Sequence, residues 1–407
     1  MSSFTWLDSS ERERRKMLDV VDLFREHGTR DELGLASVRD AFADRFFPGT
    51  STIQTRARYF LIVPWVFKRL EEKMVGQANI ATRARRAETT IIEAIEASDD
   101  SDGNIGKFAK GALKRLPSSV YWQGLWVWGI RLFPGSIAQY QRSLDRHHGQ
   151  RARHAARGEE RDSEHDDLMA SNWHGGLVAP PEDFPSACSL RLSRGEADYL
   201  CERIILSSRC SGSLLAALAQ SPRRADDVEF VWDHPDAAGF PHELVEPLAH
   251  ARGFSELMHG AVLLYNLILA QQTHDEDKVG DFRGRMEEWS AIMAARGGFF
   301  ATWERGRFWH HVLMDNPRVS PGTIDFVNHW WDLVMAQGAA GMATNKAARG
   351  LITERERRLK RDLARIDNPR ARELWNGDSG TGRLDFRWQS ARRILSDIFD
   401  GLEADDA

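Results

Sequence analysis

The chain has 407 residues, 42% of them hydrophobic and 28% charged, with a formal charge of −5. This is the balance of a folded protein of two or three domains, and it excludes collagen-like, coiled-coil and disordered chains. The longest near-apolar run, Tyr59–Phe67, is nine residues and contains Pro64, against about 20 for a membrane span. The first residues lack the basic-then-apolar pattern of a secretory signal. Three cysteines fit a reducing compartment with no disulfide framework. The expectation is a cytoplasmic protein that meets no membrane.

The charge is divided along the chain. Residues 1–157 carry 26 Lys+Arg and 19 Asp+Glu, and residues 158–350 carry 17 and 29. A basic segment on an acidic protein can mark a polyanion partner. Of the cations 46 are Arg and 9 are Lys. A GC-rich genome gives that bias, and so does a role for guanidinium forks on phosphates and base edges.

The N-terminal third reads as successive helices. Asp8 or Ser9 caps one over Glu11–Arg25, with Met17, Leu18, Val21 and Phe24 on one face. Leu35–Phe46 is a second. After Phe47-Pro48-Gly49 a third runs from Ser51 to Phe60 and resumes past Pro64 to Met74. Ile80–Ala97, Lys107–Arg115 and Ser119–Leu132 follow. Phe133–Leu144 echoes Phe47–Arg58, either as a duplication or as two uses of one helix start. His147–Ser171 is polar, and His174–Pro181 extends the irregular stretch. Beyond it the pattern predicts helices over Glu196–Leu206, Ser211–Gln220, Glu243–Arg252, Glu256–Gln272, Asp281–Ala295, Thr323–Ala336 and Leu351–Ile366, with one short strand at Val228–Trp232. The expected fold is mainly α. It has a basic helical domain over residues 1–146, a linker over 147–184, and an acidic helical domain over 185–407 that ends in a loop and a helix.

Leu35–Phe46 and Ser51–Phe60, joined by a Gly-containing turn, have the grammar of a helix-turn-helix. The second helix would offer Thr52, Gln54, Thr55, Arg56 and Arg58 to phosphates and base edges. An ordinary helical hairpin has the same pattern. Tyr121, Trp122, Trp126 and Trp128, flanked by Arg115 and Arg131, suit a stacking platform or a packed core. Arg115, Arg131 and Arg142 are further candidates for contact with nucleic acid, with Arg146 following Arg142 in the second Phe-Pro-Gly segment. Cys188, Cys201 and Cys210 lack the close pairs of a zinc site. Gly377-Asp378-Ser379-Gly380 resembles the nucleophile loop of trypsin-like proteases over four residues only, and it reads instead as a tight loop docking Leu384, Phe386 and Trp388. Glu71–Lys73 and Glu276–Lys278 have a nuclease-like carboxylate–lysine spacing, but in helix or polar loop. No cofactor motif occurs.

Five strings carry a resemblance: Ser3–Phe24, Arg30–Gly34, Phe47–Phe60, Arg115–Leu125 and Gly380–Trp388. They resemble an uncharacterised bacterial family with a domain-of-unknown-function label. The resemblance implies the company of helicases and phospholipase-D-like nucleases in anti-phage defence clusters, and it transfers no catalytic residue. The expected function is a non-catalytic subunit that binds duplex DNA or docks onto a helicase or nuclease subunit. The alternatives are a diverged metal-dependent nuclease and a structural adaptor without nucleic-acid contact.

Overall fold

The computed structural model describes residues 31–107, 113–156, 171–221, 223–224 and 227–404. The expected helix over Glu11–Arg25 and the middle of Lys107–Arg115 lie outside the described residues. Among the described residues the fold is mainly α and contains no strand, only an isolated bridge between Arg131 and Trp173. The strand expected at Val228–Trp232 is replaced by a 3-10 turn at Val231–Asp233. Val231 and Trp232 are buried as packing side chains, so their apolar character does not mark a sheet.

The chain groups into two compact units: residues 42–246 with 385–407, the larger, and residues 1–41 with 247–384, the smaller. This grouping differs from a sequential division at 147–184. A helix runs over Ile137–Ala156, through the start of the expected linker, and the C-terminal helix belongs with residues 42–246.

The larger unit takes the end of α1 (Ala36–Phe46), then α2 (Tyr59–Glu72), α3 (Gln77–Glu96), α4 (Pro117–Val127), α5 (Ile137–Ala156), α6 (Arg194–Leu206), α7 (Leu214–Ala219) and, after the other unit, α15 (Trp388–Glu403). Ser193 and Glu196 form a reciprocal capping box at the start of α6. α15 lays Trp388, Ala391, Ile394, Leu395 and Ile398 inward and packs along α6. Gly401 permits the close approach, because a Cβ there would lie 2.7 Å from that of Ala197. Phe67, Trp122, Tyr140 and Trp173 form an aromatic box. At its centre the Glu71 carboxylate accepts from Tyr140, Asn172 and Trp173.

The smaller unit comprises most of α8 (His242–Gln272), then α9 (Glu276–Ala295), α10 (Gly297–Thr302), α11 (Arg305–Asp315), α12 (Pro321–Gln337), α13 (Lys346–Lys360) and α14 (Pro369–Arg372). The sequence pattern predicts two helices where α8 is one, because Gly253 and Pro247 interrupt the pattern but not the helix. By length and composition α8 could cross a membrane, which a search for uninterrupted apolar runs misses; 89% of that stretch is buried inside the protein. Gly260 lets Trp289 of α9 lie against α8, since a Cβ would fall 2.3 Å from the indole. Trp289 Nε1 then donates to Glu256 O at 2.8 Å.

Candidate nucleic-acid interface

The segment between α1 and α2 decides the fate of the helix-turn-helix expectation. Residues 51–58 are not a helix; α2 begins at Tyr59. Two side chains from elsewhere in the larger unit take its backbone donors. The Tyr121 hydroxyl accepts from Thr55 N at 2.9 Å and Arg56 N at 3.1 Å, and Asp397 Oδ2 accepts from Ala57 N at 2.7 Å. Long-range capping thus replaces the first helical turn. α2 itself buries Tyr59 through Phe67 without a break, so no face of that stretch is left to read a groove.

The residues expected to meet nucleic acid divide sharply. Thr52 is exposed and Thr55 half-buried, with Thr55 Oγ1 donating to Gly103 O at 2.6 Å. Gln54 is buried, its Nε2 on Gly49 O at 3.1 Å and its Oε1 accepting from Ser51 N at 3.1 Å. Arg56 is buried between two carboxylates: Nε reaches Asp397 at 2.8 Å, and both terminal nitrogens reach Asp100 at 2.9 Å. Arg58 is buried against Glu196 at 2.7 Å and the Ser189 carbonyl at 3.1 Å. The expected exposure of Gln54, Arg56 and Arg58 is therefore corrected: these side chains hold the larger unit together from inside.

Arg131 is 2% exposed, and its guanidinium donates to the carbonyls of Trp122, Phe133 and Gly135. Burial, with Arg209 adding like charge, pushes it down to about 10. Tyr121, Trp122 and Trp128 are core, not platform. Trp126 is half-buried, with Arg209 stacked 3.8 Å from its ring centre. Arg115 is exposed.

Arg142 is also exposed, and its helix supplies what the sequence pattern passed over. α5 turns Tyr140, Leu144 and His148 inward, so Arg142 and Arg146, one turn apart, face solvent. Asp145, the acid between them, is occupied elsewhere: its Oδ1 accepts from Gln77 N at 2.9 Å and caps the N-terminus of α3. On α3, packed against α5, Arg83 and Arg86 are exposed while Ile80, Ala84 and Ile91 are buried. Among the described residues none of these four arginines has a carboxylate partner. The hydrogen bond from Gln77 N to Asp145 has no local sequence signal, and Arg83 and Arg86 carry no motif that marks them.

Metal chemistry finds little footing. Cys188 and Cys210 are buried, and burial pushes each thiol up to about 11. Within the smaller unit His250 on α8 and His311 on α11 bring their ring centres to 5.4 Å. Trp303 Nε1 donates to His250 Nδ1 at 2.6 Å. That spends the ring's lone pair and leaves its proton on Nε2, so His250 has none to offer an ion. Ser379 of the protease-like loop is buried, its backbone held by Asn266 and its hydroxyl by Arg365 at 3.2 Å. It is a docked tight loop, and among the described residues no histidine reaches its hydroxyl.

The chain belongs to the family of unknown function DUF6361, which residues 1–402 match. No curated protein and no solved structure matches it.

Proposed function

We propose that this protein is a non-catalytic subunit of a bacterial anti-phage system, acting in the cytoplasm, and that its larger unit rests on the phosphate backbone of duplex DNA. The observation that supports the reading is the exposure of Arg142 and Arg146 on the outer face of α5 and of Arg83 and Arg86 on α3, none of them with a carboxylate ion-pair partner among the described residues. Arginines so placed contact phosphates and carry no base-reading geometry, so binding is sequence-tolerant and salt-dependent. Sequence choice and cleavage would belong to a helicase or nuclease partner.

The test is a fluorescence-anisotropy titration of duplex DNA across a salt series. Wild type should bind at low salt, and Arg142→Ala with Arg146→Ala should lower the salt slope by about two. Absence of wild-type binding at low salt would transfer the role to partner docking alone.

A further inference from the structure

The larger unit holds a second cationic feature on other elements. An open cleft of about 470 Å3 lies between the loop at residues 51–55 and α15. Gln54 and Thr55 form its loop wall, and Ser390, Arg392, Arg393 and Ser396 line its helix wall. The lining side chains are amide, hydroxyl and guanidinium, and the Asp102 carboxylate sits on Arg393 at the rim. The loop wall is rigid, because Gln54 is tied to Gly49 and Ser51, and Thr55 to Gly103.

We propose that this cleft binds a phosphoryl group, as inorganic phosphate or a phosphate monoester. Arg392 is pre-oriented: one terminal nitrogen donates to Val228 O at 2.9 Å and the other to Gln389 Oε1 at 2.7 Å. That uses two of its five N–H groups and keeps the planar fork in place. Arg393 pairs with Asp102. The Asp102 side chain is 82% exposed, and such a rim pair holds its arginine only weakly against a dianion. Two guanidinium groups and two serine hydroxyls on one cleft lining supply the charge and the donors that a phosphate accepts from. A wall without rings or aliphatic chains offers a nucleobase nothing to stack on and a lipid chain nothing to bury against.

The experiment is calorimetric titration of the full chain with inorganic phosphate, at ionic strength fixed with chloride. Saturable binding is expected, and Arg393→Gln should weaken it about ten-fold, the loss of one charge-assisted contact. Arg393 is exposed, so this variant should keep the wild-type circular dichroism and melting temperature. Arg392→Gln is a second variant, read together with its melting temperature because it also anchors Val228. A 5′-phosphorylated oligonucleotide and its unphosphorylated twin identify the source. Preference for the phosphorylated end, lost in Arg393→Gln, gives a nucleic-acid terminus; phosphate binding without that preference gives a small phosphomonoester. Phosphate binding no better than chloride, or unchanged in Arg393→Gln, overturns the proposal. Arg142→Ala with Arg146→Ala should leave phosphate binding intact, which separates this site from the duplex surface on α5.

Discussion

Arg56 and Asp397, 341 positions apart in sequence, meet at 2.8 Å through Arg56 Nε inside the larger unit. The same carboxylate takes Ala57 N, so one aspartate of α15 both neutralises the arginine and closes the approach to α2. Removing Arg56 strands the buried Asp397 carboxylate, which costs about 3–5 kcal/mol, whereas Asp397→Ala leaves Arg56 its two-point contact with Asp100 and should cost less. Arg56→Ala should lose about 3–5 kcal/mol in urea unfolding, Asp397→Ala less, and the double variant clearly less than their sum. Additive losses below about 1 kcal/mol would show the pair to be incidental. Arg56→Ala should leave the salt slope of DNA binding unchanged in the protein that remains folded.

This pair also shows where sequence reading stops. Periodicity located α1, α3, α6 and α12 to within a few residues, because each has an apolar face set by its own sequence. It failed at Ser51–Arg58. A run with Thr, Gln and Arg under a hydroxyl cap looks helical until Tyr121 and Asp397 take its backbone donors, and nothing local announces them. Burial of Arg58 and Arg131 was equally invisible, since an arginine reads as exposed unless its partner is known. Glu196 lies 138 positions from Arg58, and the partners of Arg131 are backbone carbonyls. Arg142 was legible because its helix turns it outward; that Asp145 caps α3 rather than pairing with it was not.

Glu88 of α3 makes stability depend on pH. It is buried, and its carboxylate accepts from the backbone and hydroxyl of Ser118, both at 2.8 Å. Burial pushes it up to about 7. A carboxyl raised in the folded state favours folding when protonated, so its contribution is complete below the unfolded value and is lost as pH rises through about 7. The loss amounts to about 3 kcal/mol at 1.36 kcal/mol per unit. Glu88→Gln should remove this slope and be the more stable protein at pH 8, compared by urea unfolding at pH 5 and pH 8. Parallel profiles for the two proteins would refute the assignment.

Glu356 should be the most costly acid to remove from the smaller unit. It is fully buried and accepts from Tyr265 Oη at 2.6 Å, Lys360 Nζ at 3.0 Å, Arg365 N at 3.1 Å and Ile366 N at 2.9 Å. Glu356→Ala leaves several buried donors unmet, each worth about 1–3 kcal/mol, so the unit should fail to fold or lose more than about 4 kcal/mol. Glu354, two residues earlier, pairs at the surface with Arg358 at 2.8 Å. Glu354→Ala should lie within about 0.5 kcal/mol of wild type. Equal effects would mean that the buried network contributes nothing beyond a surface ion pair.

Trp388 tests whether the C-terminal loop and helix are part of the core. Leu384 is half-buried, whereas Phe386 and Trp388 are fully buried. The Trp388 ring lies 5.8 Å from Phe47, and its Nε1 donates to Val228 O at 2.9 Å. Phe386 packs edge-on against Phe42 at 5.6 Å. Trp388→Ala removes the largest apolar surface of α15 and leaves a cavity at the start of the helix, for about 3–5 kcal/mol. Trp388→Phe keeps most of the ring, and Val228 O still accepts from Arg392 at 2.9 Å, so a smaller loss of about 0.5–1.5 kcal/mol is expected for the one hydrogen bond removed. The two variants separate packing from hydrogen bonding when their melting temperatures are compared. Trp126→Ala is the control, because that ring is half-buried under Arg209 and should cost less than Trp388→Ala. An unchanged melting temperature in Trp388→Ala would show that α15 adds nothing to the larger unit, and with it the closure of Arg56 by Asp397 would lose its support.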